Sequence, residues 1–229
     1  MTRAFAALLV TAALASPLFA ADTVRVEQGE ISGVTGTDAS VRVFKGIPFA
    51  APPVGDLRWK APKAPVSWQG VRAATQFSPL CEQAGYAQNS LYYQPPQPMS
   101  EDCLYLNVWT TAKSGATASS KEKRPVMVWI HGGALTRGAG SIPTYDGEAL
   151  AKRGVVLVTI NYRLNIFGFF AHPDLTKESD RNSSGNYGIL DQVAALDWVK
   201  RNIAAFGGDP RNVTIFGESA GSWSVNLLV

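Results

Sequence analysis

The chain is short of histidine and of cysteine, with only His131, His172, Cys81 and Cys103 among its 229 residues. It also lacks an excess of charge of either sign. Its 21 basic and 18 acidic residues leave a formal charge of +3, scattered along the chain. That balance argues against a nucleic-acid partner or an anionic membrane surface. The one basic cluster, Lys121-Glu122-Lys123-Arg124, closes a small-polar stretch, "TTAKSGATASSKEKR", and reads as a solvated loop tip. No G-x-x-x-x-G-K-[ST] occurs, and no G-x-G-x-x-G opens a helix after a strand, so a phosphate cradle is not expected. No internal repeat is visible, and no membrane anchor is expected.

The longest apolar stretch lies within residues 1–21, where Arg3 precedes "AFAALLVTAALASPLFAA". Pro17 interrupts it, and it falls short of a membrane span of about 20 apolar residues. It reads as a secretory signal peptide, cleaved near Ala20 or Ala21, with Ala13-Leu14-Ala15 as a competing small-x-small site. The expected location is therefore secreted or periplasmic, and residues 22–229 are the mature chain. In an oxidising compartment an isolated cysteine pair is most simply one disulfide. Closing a loop of this length stabilises a fold by roughly 3 kcal/mol on the chain-entropy model.

Composition is that of a globular protein, 46% hydrophobic and 17% charged. "TVRVEQGEISGV" alternates around Gln28-Gly29 as a hairpin does, and "SVRVFKGIPFA" reads as a further strand. A proline-rich irregular segment, "APPVGDLRWKAPKAP", follows. Residues 81–103 show neither helical nor strand period. "LYLNVWT" and "PVMVWIHGG" read as strands, and the β-branched run "GVVLVTINYRL" as a strand covered on both faces. Ile189, Leu190, Val193, Leu196, Val199 and Ile203 predict the apolar stripe of a helix stopped at Gly207-Gly208-Asp209-Pro210. "NVTIF" is the next strand. The order predicts an α/β fold with a largely parallel central sheet flanked by helices.

Two loops carry chemistry. Gly217-Glu218-Ser219-Ala220-Gly221 has the G-x-S-x-G form, with a β-branched strand leading in and a potential helix leading out. A strand-turn-helix of this kind exposes Ser219 on a strained turn, and Gly217 and Gly221 let strand and helix pass closely. The Ala220 N–H then points at a developing oxyanion. The second loop, "WIHGGALTRGAG", follows a strand with His131-Gly132-Gly133-Ala134, whose N–H groups are little obstructed and suit the other half of an oxyanion hole.

These segments together resemble the type-B carboxylesterases, the cholinesterase-like branch of the α/β-hydrolases. The resemblance rests on "FKGIPFAAPPVGDLRW", "EDCLYLNVW", "NYRLNIFGF", "GNYGILDQVAALDWVKRNIAAFGGDP" and "FGGDPRNVTIFGESAG", and covers essentially the whole mature chain. It implies the α/β-hydrolase fold, incomplete at its C-terminal side, and ester hydrolysis through an acyl-enzyme on Ser219 with no metal or other cofactor. It implies Gly133, Ala134 and Ala220 as oxyanion donors, with the methyl of Ala134 narrowing the acyl pocket. Glu218 and His131 would stand behind the site. Cys81–Cys103 would be the family's N-terminal disulfide, and Tyr92 or Tyr93 in its loop would face the alcohol part of a small-molecule ester.

The base is the gap in this picture. His131 sits on the oxyanion loop itself, and His172, in "FFAHPDL", begins a proline-containing loop. In the α/β-hydrolase order the acid and then the histidine follow the serine, so both are expected outside these residues. The chain is then expected to be an N-terminal portion, which expressed alone would be insoluble or molten, with turnover at background. A non-catalytic cholinesterase-like binding or adhesion domain is the rival reading, although such members usually lose the serine or distort the elbow. A lipase or peptidase on the same fold is a third, against which the cysteine pair and "EDCLYLN" speak. Asn182-Ser183-Ser184 and Asn212-Val213-Thr214 match a glycosylation sequon.

Overall fold

The structure is a computed structural model that describes residues 23–90, 93, 95–113 and 123–229. The expected signal segment and most of the polar loop before Lys123 lie outside the described residues. The N-terminal hairpin forms as its alternation predicts. Strand β1 (Thr23–Val26) pairs antiparallel with β2 (Gly29–Ser32), with Val26 opposite Gly29. Next come β3 (Val34–Thr35), β4 (Arg42–Pro48) and β5 (Val71–Ala73), then β6 (Tyr105–Thr110) and β7 (Arg124–Ile130). The remaining elements are α1 (Glu148–Ala151), β8 (Val156–Ile160), α2 (Asn165–Phe169), α3 (Pro173–Glu178), α4 (Tyr187–Asn202), β9 (Gly208–Gly217) and α5 (Ala220–Leu228).

A small sheet orders β1-β2-β5, and the main sheet orders β3-β4-β6-β8-β7-β9. The expected parallel arrangement holds where the two sequence motifs lie: β7 runs parallel to both β8 and β9. The other half, β3-β4-β6-β8, is antiparallel, so the sheet is mixed. Among the described residues β9 pairs on one side only, with β7.

Strand alternation sorts the core into two layers. Val126, Val128 and Ile130 of β7 and Val156, Val158 and Ile160 of β8 face Ala195, Trp198 and Val199 of α4, with Ile203 and Phe206 in the short turn after it. Trp109 and Leu157 face the opposite way, against Ala151 of α1 and the adjoining Met127 and Phe216. Helix α4 stops as predicted, through a 3-10 turn ending at Gly207 in the left-handed conformation (φ 79°).

Its buried face, however, is rotated from the predicted stripe. Tyr187, Asp191, Gln192, Ala195, Trp198, Val199 and Asn202 are buried, whereas Val193 is exposed and Ile189, Leu190 and Leu196 are only half-buried. Hydrophobicity counting fails here because three polar residues of the inner face find hydrogen-bond partners far along the chain. Asp191 meets Arg163, Gln192 donates to Ser224 Oγ (3.1 Å), and Asn202 Oδ1 accepts from the Glu27 N–H (2.7 Å).

Candidate active site

The register of the parallel strands places the two motif loops side by side. Ile130, the last residue of β7, is the partner of Gly217, the last residue of β9. The chain therefore leaves neighbouring strands at one sheet end as His131-Gly132-Gly133 and as Glu218-Ser219-Ala220. Their proximity is visible at Gly132, where an added Cβ would lie 3.1 Å from Ser219 Cβ and 2.7 Å from Glu218 Oε2.

Ser219 sits between β9 and α5 with φ 55° and ψ −122°, outside the regions an L-residue favours. Such a residue stores on the order of 1–3 kcal/mol of backbone strain. Close packing holds it there. A Cβ on Gly217 would lie 2.6 Å from the carbonyl oxygen of Ile130, and one on Gly221 would overlap that same oxygen. Both elbow glycines are thus required by the approach of α5 to the end of β7. The helix starts at once, with Gly221 N–H donating to Glu218 O (2.9 Å) and Trp223 N–H to Ser219 O (3.0 Å). Ser219 is exposed. No backbone carbonyl among the described residues accepts the N–H of Ala220, a first-turn amide at the positive end of α5.

The facing loop is equally unusual. Gly133 (φ 105°), Ala134 (φ 55°) and Leu135 (φ 60°) are three consecutive residues at positive φ. The turn closes on the Gly133 carbonyl, which accepts from the N–H groups of Thr136 (3.0 Å) and Arg137 (3.1 Å) and from Thr136 Oγ1 (3.1 Å). The Ala134 N–H, in the same peptide, and the Gly133 N–H in the peptide before it have no backbone acceptor among the described residues. Ala134 is exposed.

His131 is buried, 1% exposed, beneath this loop. Its Nδ1 lies 2.8 Å from Gly132 O, and its ring stacks on Tyr162 at 4.4 Å. Tyr162 in turn donates its hydroxyl to His131 O (2.8 Å). Burial pushes the imidazole pKa down to about 4, opposed by the bond to Gly132. The neutral ring must carry its hydrogen on Nδ1, since Gly132 O can only accept; Nε2 is buried without a partner. His172 lies elsewhere, half-exposed at the start of α3, where Nδ1 accepts from the Asp174 N–H (3.3 Å). Among the described residues neither ring is hydrogen-bonded to Ser219, and the His131 ring is buried against Gly132 and Tyr162 instead.

Cys81 and Cys103 are joined in a disulfide, with Cα atoms 5.0 Å apart. Tyr93 of the loop they close lines a cleft of about 260 Å³ together with Leu80, Tyr86, Pro95, Met99 and Ile142. Tyr92 lies outside the described residues.

Three supporting groups escaped the sequence reading. Arg163 and Asp191, 3% and 0% exposed, form a bidentate pair at 2.8 and 2.7 Å, and Arg163 also donates to Lys60 O (2.9 Å). Asn161 Oδ1 accepts from Gly140 N–H (2.9 Å) while its Nδ2 donates to Cys103 O (3.2 Å). Gln83 bonds both backbone groups of Gly138. The only signal for the first pair was an ionisable residue closing the apolar run "GVVLVTINYRL" and another inside the apolar stripe of α4.

A strand-turn-helix that exposes a serine in a G-x-S-x-G turn, beside a positive-φ loop at one end of a sheet, marks the α/β-hydrolase class. The model of the carboxylesterase family matches residues 20–229, and the chain belongs to that family. It is 48% identical over 210 residues to the fumonisin B1 esterase of Sphingopyxis macrogoltabida, covering 91% of this chain and 37% of that protein. It is 48% identical over 207 residues to the para-nitrobenzyl esterase of Bacillus subtilis, covering 90% and 40% respectively. The crystal structure of the Geobacillus stearothermophilus carboxylesterase EST55 at pH 6.8 superimposes with a TM-score of 0.77 at 50% identity, over 90% of this chain and 40% of that one. The chain thus spans about 40% of the length of the relatives it matches.

Proposed function

We propose that the protein is a serine carboxylesterase in which Ser219 attacks an ester carbonyl and is transiently acylated. The observation that carries the reading is the juxtaposition of an exposed, strained Ser219 with two sets of unengaged N–H groups, those of Gly133 and Ala134 and that of Ala220. As the carbonyl becomes tetrahedral its oxygen gains charge, and these amides offer fixed dipoles there; each such donor is worth about 2.7–4 kcal/mol of transition-state stabilisation. The buried neutral ring of His131 braces Gly132 rather than taking a proton from Ser219. The relay histidine and its acid are supplied by residues outside the 229. Collapse of the tetrahedral adduct expels the alcohol and leaves the acyl group on Ser219 Oγ, and water then releases the acid and regenerates the hydroxyl.

The substrate is a small-molecule ester, with Tyr93 and the cleft it lines facing the alcohol part. Family membership supports this choice over a phosphate or peptide substrate. The leader-like residues 1–21 and the disulfide support export to an oxidising compartment.

The test is labelling of the protein expressed from its complete coding sequence with a fluorophosphonate, followed by peptide mapping. The expected result is a single tag on Ser219. In the Ser219→Ala variant the tag disappears and kcat on a p-nitrophenyl ester falls about 10^6-fold, as in other serine hydrolases stripped of the nucleophile. A folded protein that neither labels nor turns over would replace the esterase with the binding-domain reading.

A further inference from the structure

The oxyanion loop does not hold its own shape. Three successive residues at positive φ, two of them not glycine, persist only when surrounding groups over-determine them. Upstream, His131 fixes Gly132. Downstream, the loop ends at Gly138 (φ 111°), and there the anchor comes from the disulfide-closed segment. Gln83 Oε1 accepts from Gly138 N–H at 2.7 Å, and Gln83 Nε2 donates to Gly138 O at 2.9 Å. The same Nε2 donates to Cys81 O at 3.0 Å, which fixes the amide plane relative to the disulfide. A side-chain amide has the donor-acceptor layout of a peptide bond, so Gln83 pairs with Gly138 as a neighbouring strand would. No other residue type of that length offers both a donor and an acceptor in one plane.

Further contacts link the same segments, among them Arg137 Nη1 donating to Gly85 O (3.3 Å). Asn165 donates its backbone N–H to Leu135 O (2.8 Å) and its side-chain Nδ2 to Glu82 O (2.7 Å). Arg137 places its guanidinium over the Tyr86 ring at 5.0 Å. The stretch 82–86 therefore lies along the loop from Leu135 to Gly138, with Gln83 making the only two-bond clamp in that stretch among the described residues.

We propose that Gln83 is a positioning residue for acyl transfer: its carboxamide fixes Gly138 and thereby the aim of the Gly133 and Ala134 N–H groups. The inference rests on the serine esterase reading of Ser219. Gln83 touches no reacting atom and acts through the loop alone. A displacement of oxyanion donors by about 1 Å can cost 10²-fold in rate, and loss of one of the loop's several anchors should cost about tenfold.

The experiment compares wild type with Gln83→Ala and with Gln83→Met, which keeps the volume and loses both bonds. Each is expressed from the complete coding sequence. Rates on p-nitrophenyl acetate are expressed per site titrated with a fluorophosphonate, so misfolded protein does not count. The expected result is a roughly tenfold lower kcat in both variants with KM within about twofold. Affinity for a trifluoromethyl ketone, whose adduct with Ser219 bears an oxyanion, should fall by the same factor. Unchanged kcat and ketone affinity per titrated site, with only a lower Tm, would overturn the proposal and leave Gln83 a packing residue. A wild type that fails to label at Ser219 would instead remove the esterase reading and the inference together, so the two failures are distinguishable.

Discussion

The two loops that meet at the end of the sheet do the same backbone work by different means. At the elbow, Ser219 is held at φ 55° by close backbone packing: a strand before it, a helix after it, and two glycines that let α5 press on the Ile130 carbonyl at the end of β7. At the facing loop, Ala134 is held at the same φ by groups from elsewhere, namely Tyr162 beneath His131, Asn165 against Leu135, and Gln83 against Gly138. One strained residue is enforced by backbone-on-backbone packing and the other largely by side-chain contacts. The elbow should accordingly fail through steric change at its glycines, and the facing loop through the loss of those side chains.

Acid is the largest expected lever on that contrast. His131 has a pKa of about 4 in the folded protein against about 6.5 when unfolded. Its folded value is depressed, so the unfolded chain takes up the proton first. Stability is therefore lost as pH falls from about 6.5 towards 4 and changes little from this group outside that window. Relative to His131→Asn, which does not titrate, the wild type should lose about 3 kcal/mol between pH 7 and pH 4 in urea melts. Parallel pH profiles for the two proteins would mean that folding does not keep the His131 imidazole neutral.

A smaller effect is expected from crowding the elbow. Gly221→Ala puts a methyl group onto the Ile130 carbonyl, which has nowhere to retreat within β7. The cost should be about 1–3 kcal/mol of overpacking, with a matching fall in the rate of fluorophosphonate labelling as Ser219 is displaced. Retention of full labelling rate would show that the packing of α5 against Ile130 does not set the position of Ser219.

The smallest effect has the opposite sign. Ser219→Gly removes the side chain from an unfavourable backbone region and should raise stability by about 1 kcal/mol while abolishing labelling. Ala134→Gly should also stabilise, and in both variants the gain is reduced by about 0.4–1 kcal/mol because glycine frees the unfolded chain. A loss of stability in either variant, read from urea midpoints, would show that its backbone is not strained.

Much of this molecule is legible in its sequence where the determinants are close together along the chain. The hairpin around Gln28-Gly29, the strands of "PVMVWI" and "GVVLVTI", the stop at Gly207 and the strand-turn-helix around Ser219 all lie where local pattern places them. What was hidden depends on partners far along the chain. The inner face of α4 carries Asp191 because Arg163 is waiting for it, an arrangement no periodicity reveals. The antiparallel half of the sheet was hidden likewise, since β4, β6 and β8 become neighbours across separations that residue pattern does not encode.

By itself, the sequence determined the strained turn at Ser219, both elbow glycines and the glycine-rich loop, because strained turns demand particular residue types at fixed spacing. Only the tertiary structure decided that the His131 ring is buried against Gly132 and Tyr162, and that Gln83 reaches Gly138. Those outcomes depend on which groups meet at 2.7–2.9 Å across 55 residues of chain, and on how completely water is excluded where they meet.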